Sequence, residues 1–254
     1  MAFDVSSDAY DRFMGRFSAQ LAGRLAGLLE VSAGQRALDV GCGPGALTGR
    51  LVDLLGAERV AAVDPSQRFV DACRDHHPAA DVRLASAEAL PFADAAFDAA
   101  GACLVVHFMD DPVAGLEEMA RVTRPGGRVG ATVWDLAGDR APMWPLWAGM
   151  AAVGEGRSGG RVAPGGTAGE LAGLFESAGL REVEDQEVPV TVTYDTYDEW
   201  WRAYLHGVGP VGDVVASLAP DVRDRLEVAC RDLLGDGPFE VTAVAFAVRG
   251  RVPG

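Results

Sequence analysis

The sequence predicts an α/β protein with a doubly wound, mostly parallel sheet of seven strands. Three observations support this prediction. Short apolar runs alternate with amphipathic stretches between residues 36 and 134, a glycine-rich loop follows the first run, and two strand-like segments occur late in the chain. Helices before the first strand and after the fifth are expected to form an N-terminal helical cap and a helical substrate lid.

Five apolar runs have the length of strands and are apolar enough to be covered by helices on both faces, as parallel strands are. They cover residues 36–41, 59–64, 82–86, 97–104 and 127–134. A sixth strand is predicted at 183–194, and the alternating segment 239–249 is expected to close the sheet.

Between the strands, apolar residues recur three and four positions apart, as they do on one face of a helix. The predicted helices cover residues 46–55, 66–76 and 113–122. Ser66 and Asp111 are predicted to cap the second and third helices. Residues 124–127, Arg-Pro-Gly-Gly, are predicted to end the third helix and turn into the fifth strand.

The outer segments are less regular. Residues 10–29 are expected to form one or two amphipathic helices, and 136–166 is predicted to be a mobile insertion. A helix is predicted at 167–178, with two more after Trp200-Trp201. We predict one domain over residues 1–254, in three parts: the cap at 1–35, a cofactor-binding core at 36–134, and the substrate lid with sheet-closing strands at 135–254.

Composition limits the possible partners. The chain has 254 residues, 22 basic against 37 acidic, a net charge of -15, and no lysine. Chemistry that needs a lysine nucleophile is therefore excluded. Nucleic acids and anionic membranes are not expected to bind, because both attract basic side chains.

The spacing of the cysteines and histidines does not predict a metal site. The four cysteines form no C-x-x-C pair and the four histidines have no H-E-x-x-H spacing, so we expect no metal and predict reduced, mostly buried thiols.

The N-terminus lacks the features of a secretion signal and no apolar run is long enough to span a bilayer. A cytoplasmic location is predicted.

A glycine-rich loop carries the first functional signal. Asp39-Val-Gly41-Cys-Gly43-Pro-Gly45 follows a predicted strand and opens a helix, where free backbone amides can face a ligand. Asp64 ends the next strand, a position from which a carboxylate can bind both hydroxyls of a ribose. The pattern predicts a nucleoside-containing ligand.

Dinucleotide oxidoreductases and S-adenosylmethionine-binding proteins share this geometry, and the glycine spacing alone leaves both open, because Ala46 fits the oxidoreductase fingerprint. Asp39 favours the second class. A carboxylate before the loop would repel a pyrophosphate, whereas it suits the ammonium group of a methionine moiety, directly or through water.

Four ordered motifs carry a family resemblance: LDVGCGPG at 38–45, VDPS at 63–66, SAEALPF at 86–92 and RPGG at 124–127. They resemble successive motifs of class I S-adenosylmethionine-dependent methyltransferases, nearest to the group of ubiquinone and menaquinone C-methyltransferases and related small-molecule enzymes. The resemblance spans roughly residues 10–134 and implies the Rossmann-like methyltransferase fold.

The resemblance also implies roles for individual residues. The loop glycines would line the methionine and ribose, Asp39 would lie near the amino group, and Asp64 with Pro65 would bind the ribose end. The adenine and methionine would meet four further residues: Ser86, Ala87, Cys103 and Leu104. The family usually has aspartate where Ser86 stands, so the bond to the adenine amino group is expected to be weaker here or to come from Glu88.

Methyl transfer from a sulfonium is an in-line displacement, so a base is needed only when the acceptor must lose a proton. His107, just beyond the fourth strand, is the candidate base, with a shape or polar contact as the alternative role. The resemblance places Tyr10 over the cofactor, where its ring would stabilise the sulfonium, and lets Arg16 pair with the methionine carboxylate.

The sequence therefore predicts transfer of a methyl group from S-adenosylmethionine to a small, apolar or aromatic metabolite. The tryptophans would either wall the acceptor pocket or belong to the core. One alternative is a non-catalytic S-adenosylmethionine-binding regulatory or interaction protein, which the same loop would permit. A nicotinamide-dependent oxidoreductase is disfavoured by Asp39 and the later motifs.

Overall fold

A computed structural model describes residues 14–155, 163–205 and 209–254. Its strands are β1 (Ala37–Val40), β2 (Val60–Asp64), β3 (Asp81–Leu84), β4 (Phe97–Cys103), β5 (Thr123–Trp134), β6 (Arg181–Tyr194) and β7 (Phe239–Arg251). They form one sheet in the order β3-β2-β1-β4-β5-β7-β6. The first five strands are parallel, and β7 lies antiparallel between β5 and β6. The predicted fold class is confirmed.

Helices connect the strands and cover the sheet. In the described part of the chain they are α1 (Arg16–Leu29), α2 (Ala46–Leu55), α3 (Gln67–His76), α4 (Pro112–Val122), α5 (Trp144–Ala152), α6 (Glu170–Ser177), α7 (Tyr197–Leu205), α8 (Gly209–Ser217) and α9 (Pro220–Leu234). A short 3-10 helix, Val106–Phe108, follows β4. Asp111 caps α4 as predicted, accepting hydrogen bonds from two backbone amides at 3.1 Å, whereas the Ser66 side chain makes no capping bond to α3.

Both faces of the parallel sheet are buried. On one face α1 lies close to β4, because Gly101 has no side chain where Leu29 and Leu47 pack. On the other face α4 and α6 contribute Leu116 and Phe175, both 0% exposed. Burial of each such side chain stabilises the fold by about 1.5–3 kcal/mol.

A second apolar cluster covers the part of the sheet made by β6 and β7, beneath α5, α7 and α9. Trp200 and Trp201 are 1% and 4% exposed, so they are core residues rather than pocket walls. Leu146 and Met150 of α5 also belong to this cluster. The segment 136–166, predicted as a mobile insertion, therefore contains a packed helix.

One other local prediction is wrong. Residues 124–127 do not form a turn before the fifth strand, because β5 already begins at Thr123, where it pairs with Phe97 through an irregularity in the register. Two helices, α8 and α9, follow Trp200-Trp201 as predicted, and the tryptophan pair itself lies in a further helix, α7. The sheet nevertheless brings the C-terminal ends of five parallel strands to one edge, which is where ligands bind in such folds.

Candidate functional site

The glycine-rich loop crosses this edge between β1 and α2. The backbone amides of Gly41 and Cys42 donate hydrogen bonds of 2.8 and 2.9 Å to the Val63 carbonyl, which ties the loop to the end of β2. Gly41 and Gly43 have φ values of +71° and +52°. A Cβ on Gly41 would lie 2.4 Å from a methyl carbon of Val105, so only glycine lets the segment after β4 approach the loop this closely.

The loop is also held from α3. Nδ1 of His76 lies 2.9 Å from the Pro44 carbonyl and Nε2 of His77 lies 3.2 Å from the Gly45 carbonyl. Carbonyl oxygens only accept, so each ring nitrogen donates there. Neither histidine nor Gly45 lines the cavity described below. His76 and His77 therefore anchor the glycine-rich loop to α3.

Asp64 ends β2 with its carboxylate fixed between two backbone amides. Oδ2 accepts a 2.9 Å hydrogen bond from Gly43 and Oδ1 accepts a 2.8 Å bond from Ser66. Burial raises the pKa of Asp64, against the opposing effect of these two bonds. Each oxygen keeps a second lone pair, which is what a vicinal diol requires as its acceptor.

Asp39 lies beneath the loop and is 1% exposed. Its Oδ2 accepts a 2.6 Å hydrogen bond from Thr48 Oγ1, while its buried Oδ1 has no partner. Burial raises the pKa of Asp39 to about 7. An unpartnered buried carboxylate oxygen is costly unless a cation or donor comes to it, so the residue fits an ammonium group on the ligand.

A cavity of about 290 Å³ opens along the strand ends. The described residues that line it come from the loop, from the ends of β2, β3 and β4, and from the segment before α4: Gly41, Gly43, Asp64, Pro65, Ser66, Phe69, Ser86, Ala87, Glu88, Cys103, Leu104, Val105, Phe108, Met109 and Asp110. Nine of the residues that the sequence nominated for cofactor binding therefore meet in one cavity.

Sequence reasoning missed part of this cavity. Phe69 of α3 and the segment after Leu104, with Val105, Phe108, Met109 and Asp110, also line it. The segment directly follows β4, and the carboxyl ends of neighbouring parallel strands share one edge, so its position along the chain was an available signal. No motif marks it.

Cys103 and Leu104, at the end of β4, line another part of the cavity. Burial raises the pKa of the Cys103 thiol to about 12, so the thiol stays neutral, and Thr132 Oγ1 donates to its sulfur at 3.6 Å. Leu104 has φ +63°, a left-handed conformation that is strained for a branched side chain. Its amide is held by the Thr132 carbonyl at 2.9 Å.

Like Asp39 and Gly45, two further nominated residues that the structure describes, His107 and Arg16, lie outside the cavity lining. His107 is followed by Phe108, whose ring centroid is 3.9 Å from its own; its Nδ1 is buried without a partner and burial lowers its pKa to about 4. The guanidinium of Arg16 pairs with Glu199 at 2.7 Å and with the Thr193 carbonyl. Tyr10 lies outside the described residues, so its predicted role remains a prediction.

Comparison with known proteins adds to this geometry. Residues 38–130 match the family described as "Methyltransferase domain". This segment, which runs from β1 into β5, is therefore similar to a methyltransferase domain. S-adenosylmethionine is the cofactor that this match implies, and the cavity along the strand ends has hydrogen-bond acceptors that fit it. The narrower ubiquinone-like grouping stays a prediction.

Two curated relatives show how far the similarity extends. An uncharacterized methyltransferase of Mycobacterium tuberculosis is 40% identical over 109 residues, 43% of each chain. The 27-O-demethylrifamycin SV methyltransferase of Amycolatopsis mediterranei is 36% identical over 118 residues, 44% of this chain and 43% of that one. The matched segments thus span less than half the length of these relatives.

The fold similarity extends beyond the methyltransferase domain segment. The YcgJ protein of Bacillus subtilis superposes with a TM-score of 0.57 at 18% identity, covering 94% of this chain and 99% of that one. In the residues that the structure describes, no helix is both long and apolar enough to cross a bilayer. The same residues hold no cluster of three or more potential metal ligands.

Proposed function

We propose that the whole protein transfers the methyl group of S-adenosylmethionine to a small, apolar or aromatic acceptor. One observation carries the proposal: the glycine loop, the Asp64 carboxylate and the ends of β3 and β4 meet in one cavity at the carboxyl edge of the methyltransferase domain. The match to the methyltransferase family over residues 38–130 supports it.

Each part of the cavity suits one part of the cofactor. Gly41 and Gly43 would lie along the methionine and ribose, and Asp64 would accept hydrogen bonds from the ribose hydroxyls. Asp39 does not line the cavity, but from beneath the loop its unpartnered Oδ1 would hold the ammonium group directly or through water. The nucleobase would lie at the other end of the cavity, near Ser86 and Ala87.

The bound cofactor supplies an electrophilic methyl group on a sulfonium. The protein's contribution is to orient that group toward the acceptor and to exclude water, which is sufficient for an in-line displacement. Leu104 lines the cavity and also belongs to the apolar cluster that contains Phe17 and Trp134. We infer that the acceptor lies on this side of the cavity and is itself apolar or aromatic.

His107 and Tyr10 remain the proposed catalytic residues. With a pKa of about 4, His107 is neutral at pH 7 and able to accept a hydrogen bond or a proton at its unpartnered Nδ1, although it is a weak base. An acceptor that attacks without losing a proton needs no base at all. A non-catalytic binding protein would use the same cavity, and no observation favours it over the enzyme.

Calorimetric titration with S-adenosylhomocysteine tests the cofactor assignment, with NADH as the competing class. We expect micromolar binding of S-adenosylhomocysteine, no binding of NADH, and loss of binding in Asp64→Ala. Absence of binding in the wild type would overturn the proposal. A screen of apolar and aromatic acceptors with radiolabelled S-adenosylmethionine then separates an enzyme from a binding protein, since only the enzyme releases a labelled product.

A further inference from the structure

We propose that Cys42 and Cys73 form a reversible disulfide between the glycine-rich loop and α3, with hydrogen peroxide as the oxidant. The pair is then a redox modification site within the loop that lines the cavity. Formation of the bond needs only the two thiols and the peroxide, so it does not depend on which ligand the cavity takes. Its effect on the affinity for S-adenosylhomocysteine rests on the proposed function.

Cys73 lies against the glycine-rich loop. Its Sγ is 3.2 Å from the position that a Cβ on Gly45 would occupy, and the Gly45 amide donates a 2.9 Å hydrogen bond to the Cys42 carbonyl. Because Gly45 has no side chain, the thiol of α3 can lie this close to the loop. Cys42 and Cys73 are both free thiols and belong to the same small cluster of buried residues.

The two thiols are hydrogen-bonded to each other, and this bond makes them unequal. Hydrogen bonding from Cys42 lowers the pKa of Cys73 and, together with Thr48, outweighs the effect of burial. The same bond between the thiols, with burial, raises the pKa of Cys42. The thiolate is the reactive form of cysteine, so Cys73 attacks the oxidant and Cys42 completes the disulfide.

The remaining two cysteines lack this arrangement. Burial raises the pKa of both Cys103 and Cys230 to about 12, so these thiols stay neutral near pH 7. A neutral thiol reacts slowly with peroxides. The oxidation is therefore directed to Cys73.

The cavity offers a small oxidant a route to the pair. Cys42 stands between Gly41 and Gly43, which both line the cavity. Cys42 is 5% exposed and Cys73 is 0% exposed, so a bulky oxidant is kept out. Hydrogen peroxide is little larger than water. A ligand in the cavity covers this route, so bound S-adenosylhomocysteine should slow the oxidation.

The peroxide balances the reaction. The Cys73 thiolate attacks one peroxide oxygen and the O–O bond breaks, which leaves a sulfenic acid on Cys73 and a hydroxide that takes up the proton Cys73 released. The Cys42 sulfur then attacks the Cys73 sulfur. The S–S bond forms, and the hydroxyl of the sulfenic acid leaves with the Cys42 proton as water. The two thiols have lost two electrons, and the peroxide has been reduced to water.

The disulfide disturbs the contacts that fix the loop on β2. The Cys42 amide donates a 2.9 Å hydrogen bond to the Val63 carbonyl, and the next amide but none of the side chains, that of Gly43, donates to Asp64 Oδ2 at 2.9 Å. A covalent bond holds two sulfurs closer than a hydrogen bond does, so Cys42 has to move. We expect the oxidised loop to bind its ligand more weakly.

Peptide mapping tests whether the bond forms. The full chain is reduced, freed of reductant, treated with hydrogen peroxide near neutral pH, alkylated and cleaved after arginine, which places Cys42 in peptide 37–50 and Cys73 in peptide 69–74. We expect these two peptides to be joined with the loss of two hydrogen masses, and dithiothreitol to separate them. In Cys42→Ala, dimedone should trap the sulfenic acid in peptide 69–74, and trapping at Cys103 instead would contradict the proposal.

Cys73 and Cys103 are a matched control pair, because they lie 30 positions apart in the chain against 31 for Cys42 and Cys73. In urea the two pairs should cross-link about equally, since the loops that they close have the same length. The folded protein should join only Cys42 to Cys73. A folded protein that joins neither pair, or both pairs equally, would overturn the proposal.

Calorimetry tests the effect on the loop. We expect the oxidised wild type to bind S-adenosylhomocysteine about tenfold more weakly, as for the loss of one hydrogen bond, and dithiothreitol to restore the affinity. Peroxide should leave the affinity of Cys73→Ala unchanged, whereas Cys230→Ala, which lacks a buried thiol of α9, should respond like the wild type.

The two measurements separate this inference from the proposed function. A cross-linked protein that keeps its affinity would overturn the effect of the disulfide on the loop. Reduced protein that binds no S-adenosylhomocysteine contradicts the proposed function instead, and the peptide map then decides whether Cys42 and Cys73 form the disulfide.

Discussion

Thr48 Oγ1 donates a 2.6 Å hydrogen bond to Oδ2 of the buried Asp39 and leaves Oδ1 without a partner. Hydrogen bonding by the side chain and backbone of Thr48 does not compensate for burial, which raises the pKa of Asp39 to about 7. Near pH 7 the carboxyl group of Asp39 is therefore partly protonated, and a bound ammonium group would displace that proton. If Asp39 binds the ammonium group as proposed, ligand binding and the charge of Asp39 are coupled.

The first prediction is that affinity for S-adenosylhomocysteine rises with pH. Below pH 7 the ligand's ammonium group must compete with the proton on Asp39, so we expect binding about tenfold weaker at pH 6 than at pH 8. Calorimetry in buffers of different ionisation enthalpy would show proton release below pH 7. Asp39→Asn should bind weakly at pH 8 and show neither effect, and a pH-independent wild-type affinity would contradict the coupling.

The stability of the ligand-free protein should fall as the pH rises, which is opposite to the predicted change in ligand affinity. The folded-state pKa of Asp39 is raised from 3.8 to about 7, so between these pH values the folded protein binds a proton that the unfolded chain does not. The free energy of unfolding attributable to Asp39 is therefore highest at low pH, falls by up to about 1.4 kcal/mol per pH unit in this window, and is constant above it. Denaturation of wild type and Asp39→Asn across pH 4–8 would measure the difference.

Thr48→Val offers a variant of matched shape. It removes the side-chain hydrogen bond to the carboxylate while keeping the volume of the side chain, so the pKa of Asp39 should rise further and the midpoint of the affinity profile should move to higher pH. A midpoint that moves to lower pH would mean that Thr48 does not stabilise the ionised form.

The sequence was sufficient to predict the sheet and most of the cofactor cavity, because both depend on local signals. Short apolar runs that alternate with amphipathic stretches predict parallel strands. The carboxyl ends of these strands lie at a common edge of the sheet, so Asp64, Ser86 and Leu104 could be placed together. These positions need only strand order and direction. No side-chain detail is required.

Features that depend on packing could not be predicted. Arg16 carries no local sign of its partner, since Glu199 lies 183 positions away and meets it only through the packing of α1 against β6. The low pKa of His107 follows from burial, which the sequence of one loop does not reveal. The helix α5 was likewise hidden, because the tryptophans and alanines of this segment show no amphipathic spacing.

The second prediction separates close approach from backbone strain in the glycine loop. Gly41→Ala and Gly43→Ala both place a Cβ at positive φ, which costs about 1–2 kcal/mol. Only the Cβ at Gly41 meets a neighbour, a Val105 methyl carbon at 2.4 Å, while that at Gly43 has open space. We expect Gly41→Ala to destabilise the protein more than Gly43→Ala by at least about 1 kcal/mol.

A double variant checks this explanation. Gly41→Ala with Val105→Ala removes the methyl carbons that the new Cβ would strike, so the two substitutions should be non-additive and the pair less destabilised than the sum of the singles. Urea denaturation supplies the three free energies. Strict additivity would show that strain alone, and not contact with Val105, requires glycine at position 41.

The third prediction concerns His107. Because burial lowers its pKa to about 4, the ring should remain neutral from pH 5.5 to 8 and contribute no inflection to the pH dependence of kcat/KM in that range. NMR of ¹³C-labelled histidine, with the signal assigned by loss in His107→Asn, would measure the titration directly. An inflection near pH 6.5 that disappears in His107→Asn would contradict the buried, neutral ring.

The last prediction tests whether Arg16 binds the cofactor or instead links helix α1 to β6 and α7. Its guanidinium pairs with Glu199 at 2.7 Å, donates to the Thr193 carbonyl, and lies 4.9 Å from the centre of the Tyr194 ring, so it links α1 to β6 and α7. Because the ion pair is about half exposed, we expect Arg16→Ala to lower the free energy of unfolding by only about 0.5–1 kcal/mol. Affinity for S-adenosylhomocysteine should be unchanged.

Glu199→Gln is the matched control, since it weakens the same ion pair from the other side without touching Arg16. If Arg16 links α1 to β6 and α7, the two single variants should lose similar free energies of unfolding. The double variant should lose less than the sum of the two single losses, because both substitutions remove the same interaction. If Arg16 instead pairs with the methionine carboxylate, Arg16→Ala weakens S-adenosylhomocysteine binding about tenfold or more while Glu199→Gln leaves it intact. The partners that the structure gives Arg16 favour the first outcome, and the ratio of the two affinities decides between them.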